Sequence, residues 1–401
     1  MKRSTINVGL VACAATAAAL AGSAIGEAHK AVTSKYSYNE DVFPILKAKC
    51  GACHVAGGIA PMSLLTYEEA FPWGESIRAE LIAARMPPWN AEGGFGRFKH
   101  AQTLTPKEID IILTWATGGN PQGDRTKTPE PVTREAVWPL GPPDTAIPLP
   151  EPVTVPAGEQ ETIHEFTVAL NNPEPRWVRA IDLLPDSAVM VRSATIAIAA
   201  ADGTTGPVVT HWLPGGTTVA VEGAPAFRLP AQATLAVHVR YKKTWMYDSQ
   251  ALTDRSTIGL YDARPGDHRA IEALTISSDP LVGQDTVTFT TTLDRDVDVF
   301  AITPGHMPPH GGLQVEGVLA DGTRVPMIRV NTRPSWTRRY WFEQPISLPR
   351  GARVEVSTNL ETPFTLPLPD LLAPPEPPQS NDPLSVTLDV APHGGAHASG
   401  Q

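Results

Sequence analysis

Cysteine is almost missing from this chain: three occur in 401 residues, and one of them, Cys13, sits in the first few turns of sequence. A disulfide-rich scaffold is thereby excluded. Charge is sparse as well, at 18% of residues, and its balance is acidic, with a formal net charge of −10. That balance argues against nucleic acid or an anionic membrane surface as partner, and is compatible with a basic redox partner protein. No apolar run is long enough for a comfortable transmembrane helix, so no stable membrane span is expected once a leader is removed. There is no G-x-S-x-G elbow, no phosphate-binding glycine loop and no H-E-x-x-H. The common hydrolase, nucleotide and zinc-protease signatures are therefore absent.

What is present begins with an export signal. Lys2 and Arg3 precede an apolar, alanine-rich run over 8–21, followed by the small residues Ser23, Ala24 and Ala28. Residues 1–28 therefore read as a signal peptide, and the protein as periplasmic or otherwise exported. The stretch ending at Cys13 also fits a lipoprotein cleavage site, with a very short apolar lead. Proline, at 41 residues, is about twice its usual share and collects in linkers and at strand edges.

Export sharpens the meaning of the remaining cysteines. Cys50-Gly51-Ala52-Cys53-His54 is the C-x-x-C-H pattern of c-type haem attachment. Two thiols join the haem vinyl groups, the intervening residues set their spacing, and the next histidine reaches the iron. Cys50 and Cys53 are thus the expected anchors of one covalent heme c, with His54 as proximal ligand. A redox dithiol or disulfide beside a chance histidine is the alternative, but a loop this small would constrain the unfolded chain little.

Three helices are predicted around the motif. The first covers 41–49, with Pro44 tolerated in its first turn; the second covers 67–85, with a break at Pro72. The third opens at Thr105, with Pro106 at its first position and Glu108 completing a capping box, and closes at Gly118. Met62 and Met86 are the candidates for the sixth ligand, with His100 behind them. Met62 lies only eight residues past His54, which leaves little chain to reach the opposite haem face, so Met86 is favoured. Methionine opposite histidine raises the potential, as suits an electron carrier.

The stretch "CGACHVAGGIAPMSLLTYEEAFPWGESIR…RMPPWN…LTPKEIDIILTWATGGNPQGD" resembles cytochrome c domains that precede copper type II, ascorbate-dependent monooxygenase-like modules in bacterial exported proteins. The resemblance places the haem-binding cysteines, proximal histidine and axial methionine on Cys50, Cys53, His54 and Met86. It covers about residues 38–124.

From 125 to 155 the chain reads as a proline-rich linker. Beyond it come short alternating segments, among them "ETIHEFTVAL", "RWVRAIDLL", "ATLAVHVRY" and "DVDVFAIT", split by turn signals such as "ADGT". These predict two β-sandwiches in tandem, over 156–275 and 276–390, with a disordered tail over 391–401. The expected fold class is multidomain: a small all-α cytochrome c domain over 36–124, then all-β tandem jelly-roll-like sandwiches. The β half resembles, more loosely, the catalytic core of the peptidylglycine and dopamine β-monooxygenases, where each of two sandwiches holds one copper.

The copper positions implied by that resemblance are mostly altered. Arg192 and Ser193 stand where the family has a His-His pair, and Arg240 precedes Tyr241 where the family has histidine. His238, two residues away, is a substitute on the same strand face. His306-Met307-Pro308, with His310 beyond, matches a His-Met-His segment only in part. A guanidinium in place of an imidazole repels a metal cation. The expectation is a single-electron carrier whose β module docks a partner or substrate, with His306 and His310 at most a copper remnant. A haem-fed copper monooxygenase and a structural subunit of an exported oxidase complex are the alternatives.

Overall fold

The computed structural model describes residues 33–134, 136–199, 205–216, 218–223, 225–266, 268–280, 286–305, 312–331, 338–359 and 383–394. His306, Met307 and His310, the leader over 1–28 with Cys13, and residues 395–401 lie outside them. No helix among the described residues is long and apolar enough to cross a membrane.

Alternation of apolar and polar residues builds the β part. In Thr234–Lys242, Leu235, Val237, Val239 and Tyr241 are all fully buried, while the intervening residues stay partly exposed. One face therefore points at a core and the other at solvent. This strand lies between Glu161–Ala169 and Val191–Ala199, with Thr205–Trp212 completing a four-stranded antiparallel sheet. Opposite it, a five-stranded sheet runs Thr145–Pro148, Thr257–Asp262, Arg176–Leu184, Pro225–Leu229 and Arg269–Ala270. Residues of both sheets, such as Ile181, Leu229, Ile196 and Val237, share one hydrophobic core.

The second sandwich is built the same way. One sheet has the order Glu272–Ser277, Ser385–Pro392, Val297–Pro304, Tyr340–Leu348; the other has Thr286–Thr292, Arg353–Asn359, Gly312–Val318, Arg324–Asn331. Val299, Val315, Val354 and Leu388 are among the residues of its core. Phe300 and Ala391 belong instead to the first sandwich's core, so the two sandwiches pack against each other. Arg339 ties them further: its Nη atoms donate to the Val208 and Val209 carbonyls at 2.7 Å each, and its Nε faces Asp389 Oδ2 at 3.0 Å.

Three expected boundaries move, the first of them the start of the tail: Ala391 and Pro392, expected in it, end the strand Ser385–Pro392, and Ala391 is fully buried. Residues 145–155, read as linker, supply Thr145–Pro148 and Val153–Val155, which pair with Thr257–Asp262 and Leu252–Asp254 and place Leu149, Val153 and Val155 in the first core. The changeover between sandwiches falls at Ile271, between a strand paired to the first and a strand paired to the second.

The expected all-α domain ahead of the sandwiches is corrected by the structure. Among the described residues strand accounts for 41% and helix for 15%, and the helical elements are short. They are α1 (Phe43–Lys49), α2 (Tyr67–Ala70), α3 (Gly74–Ile82) and α4 (Pro106–Thr117). Tyr38, Leu46, Ile112 and Trp115 form a small core between them. The predicted break at Pro72 is a 3-10 turn, Phe71–Trp73, separating α2 from α3. The capping box of α4 is present: Glu108 N–H donates to Thr105 Oγ1 at 3.2 Å, and Thr105 N–H to Glu108 Oε2 at 2.6 Å.

Between α3 and α4, however, the chain leaves the helical core and joins the second sandwich. Ala91 pairs with Val330 and Phe98 with Phe342 as antiparallel bridges. Trp89 and Phe98 pack their rings on Tyr340 at 5.2 and 5.6 Å. The reason is physical: residues 87–100 carry two prolines and three glycines, so they cannot continue a helix, and their large apolar rings find cover only on the β sheet. The helices are one flank of a mostly β molecule.

Candidate functional site

The C-terminus of α1 delivers the first cysteine. The Cys50 N–H donates to Leu46 O at 2.9 Å, and Cys53 and His54 both donate back to Cys50 O, at 3.1 and 2.9 Å. That tight turn carries the thiols three residues apart, on one side. Gly58 folds the following loop back so closely that a Cβ there would lie 2.3 Å from Cys53 O. Ala60 and Leu64 then donate to Cys53 O and His54 O. Both cysteines are free thiols, each half-buried. Burial pushes the Cys50 thiol up to about 12, and pushes Cys53 up as well, although Arg192, Arg338 and Arg134 pull the second thiol the other way.

His54 is oriented by one bond. Its Nδ1 lies 3.2 Å from the Met62 carbonyl, which can only accept, so the proton sits on Nδ1 and Nε2 keeps its lone pair. Burial holds the imidazole below its ordinary range, hence neutral. A neutral ring whose second nitrogen is fixed by a carbonyl is the usual arrangement of a metal-ligating histidine.

These groups open into one cavity enclosing about 1090 Å³ of empty space, its mouth included. Cys50, Cys53, His54, Met62 and Met86 line it, among apolar residues such as Leu46, Leu64, Ile77, Leu81 and Ile112. The size and apolar lining match a site for a large, flat cofactor. The two methionines differ in surroundings. Met62 packs on the helical core, whereas Met86 belongs to none of the hydrophobic cores. His100 is exposed and outside the cavity lining.

The far wall was not legible in the sequence. Arg192 and Pro214 of the first sandwich line the same cavity. Cys53 Sγ donates to Pro214 O at 3.4 Å, and Gln102 Nε2 to Gly215 O at 3.2 Å. Gly215 sits at φ +67°, and a Cβ there would come within 2.8 Å of Ala52 Cβ and 2.9 Å of Cys53 Sγ. In the sequence Arg192 stands out only as a lost copper ligand, and no local signal places it beside Cys53.

Of the copper positions among the described residues, His238 and Arg240 are engaged with carboxylates. His238 Nδ1 pairs with Glu165 Oε1 at 3.1 Å across neighbouring strands, and Arg240 Nε with Glu161 Oε1 at 2.5 Å. Among the described residues no group of three or more His, Cys, Asp or Glu side chains could hold a metal ion. His306 and His310 fall outside those residues.

No protein-family model matches the chain, and no curated protein matches its sequence. Among solved structures it is similar to the major capsid protein P2 of bacteriophage PM2, at 9% identity and TM-score 0.26 over 63% of this chain and 98% of that one. It is also similar to a fucolectin from striped bass (Morone saxatilis) serum, at 12% identity and TM-score 0.16 over 60% and 85%. An allantoicase from Saccharomyces cerevisiae matches at 11% identity and TM-score 0.19 over 57% and 76%.

Proposed function

We propose that this chain is an exported single-electron carrier holding one covalent heme c, with its β sandwiches serving to dock a redox partner or substrate. The observation that carries the reading is the convergence of Cys50, Cys53, His54 and Met86 on one large apolar cavity. The residues fit the group. Two unpaired thiols on one turn would anchor it, neutral His54 offers Nε2 to the iron, and apolar walls exclude water. Met86 would be the second residue to hold the iron, because Met62 already serves the helical core. A haem so held supplies reversible one-electron exchange at its iron. The chain's own residues set the conditions. Met62 O fixes the His54 ring, the loop at Pro214 covers the Cys53 edge, and Arg192 places positive charge at the wall.

The test is expression with a haem-maturation system, followed by denaturing electrophoresis, haem staining and metal analysis. Haem that stays with the chain, at about one iron per chain, is expected. Its loss in Cys50→Ser plus Cys53→Ser is the second expected result. Covalent haem retained by the double variant, or stoichiometric copper without iron, overturns the reading.

A further inference from the structure

A second cavity lies on the other side of the loop that covers Cys53. Pro214 faces the first cavity, whereas Leu213 and Gly216 face the second, which holds about 580 Å³ of empty space, its mouth included, between the two sandwiches. Trp212, Phe227 and Trp341 give it aromatic walls, and Thr210, His211 and Arg338 give it polar ones. Among the described residues no carboxylate lines it, while two guanidinium groups do.

The two arginines are not equivalent. Arg339 has a counter-charge in Asp389 and donates to the Val208 and Val209 carbonyls, although its Nε, like that of Arg338, makes no hydrogen bond. Arg338 lies over the Trp89 ring at 5.2 Å, its Nε is buried without a hydrogen-bond partner, and it pairs with no carboxylate among the described residues. A largely desolvated cation without a counter-charge is costly, and the cost falls when an anion arrives. His211, kept neutral by burial and by Arg339, presents a ring that can donate without adding charge. Aromatic walls call for a flat organic body rather than a bare inorganic anion.

We propose that this second cavity binds a small aromatic carboxylate, its ring between Trp212 and Trp341 and its carboxylate on Arg338. The site goes beyond the electron-carrier reading and does not depend on it, although a ligand there would sit one loop away from Cys53.

The experiment is calorimetric titration of the full-length, haem-loaded protein with benzoate, benzyl alcohol and inorganic phosphate. Benzoate is expected to saturate at one per chain, with benzyl alcohol and phosphate each bound about tenfold more weakly or worse. Arg338→Gln should weaken benzoate by about tenfold or more. Val219→Trp keeps the charge but fills the cavity, and should abolish binding. Three outcomes overturn the proposal: no saturable benzoate binding, equal affinity for phosphate, or unaltered benzoate binding in Val219→Trp. An Arg338→Gln variant that shifts only the haem potential, with benzoate affinity unchanged, also overturns it and assigns Arg338 to the cofactor. Heat reports ligand binding without reference to haem absorbance, so failure here leaves the haem assignment to its own test.

Discussion

The Cys53 thiol donates its hydrogen bond to the Pro214 carbonyl, 3.4 Å away in the first β-sandwich. The turn that carries Cys53 is thus closed by a loop from another part of the chain, and that loop has little room. Gly215 occupies a left-handed conformation with Ala52 and Cys53 against it. Gly215→Ala would strain the backbone and push on Ala52 Cβ and Cys53 Sγ together. A loss of about 1–3 kcal/mol of unfolding free energy is expected in urea titrations. An unchanged midpoint and slope would show that the loop yields freely and does not clamp the turn.

Under the proposed haem reading, the choice between methionines has a direct electrochemical consequence. Removing a thioether ligand opposite histidine lowers a haem potential, by an amount on the order of 100 mV. Met86→Ala should show that drop in a spectroelectrochemical titration. Met62→Ala should leave the potential nearly in place and cost stability instead, since Met62 packs against the helical core. The reverse pattern would transfer the ligand role to Met62.

How far the sequence reached is visible in single elements. Alternation in "ATLAVHVRY" marks Thr234–Lys242, because one face of a strand meets the core and the other meets water. Thr105 and Glu108 mark the start of α4, because a capping box is a local bargain between two residues. The motif spacing likewise brings Cys50, Cys53 and His54 onto one turn. Contacts at long range leave no such trace. Nothing near Phe98 announces Phe342 as its bridge partner, and nothing near Arg192 announces Cys53. The all-α domain was expected for that reason: helical signals are local, while the pairing that ties 91–98 to the second sandwich is not.

Phe98 therefore tests the corrected architecture. It is 6% exposed and stacks on Phe342 with ring centroids 5.4 Å apart, besides meeting Trp89 and Tyr340. Phe98→Ala should destabilise the whole chain by about 3–5 kcal/mol, as expected of a ring lost from a packed core. In an independent helical domain the same change would melt residues 36–124 alone. Hydrogen exchange distinguishes the two: protection should fall in Tyr340–Leu348 as well as in the helices.

Asp389 and Arg339 hold the sandwiches together with both charges buried, at 2% and 5% side-chain exposure. Burial drives the Asp389 carboxyl up, against the pull of Arg339. Asp389→Asn would leave the guanidinium buried with only the two carbonyls for company. A cost of about 3–5 kcal/mol is expected from chemical denaturation. A cost below about 1 kcal/mol would mean that water reaches the guanidinium once the carboxylate is gone.

His211 makes stability depend on pH in a predictable direction. Burial, with Arg339 adding repulsion, lowers its pKa from 6.5 to about 3. Between those values the unfolded chain binds a proton that the folded chain refuses. Stability is therefore fully present above about pH 6.5 and falls as the pH drops through that value toward 3. From pH 7 to pH 5 the single site removes about 2 kcal/mol. His211→Gln has no proton to gain, so its unfolding free energy should fall by about 2 kcal/mol less than that of the parent over the same interval. Parallel pH profiles for the two proteins would mean that His211 reaches water in the folded state through the cavity beside it.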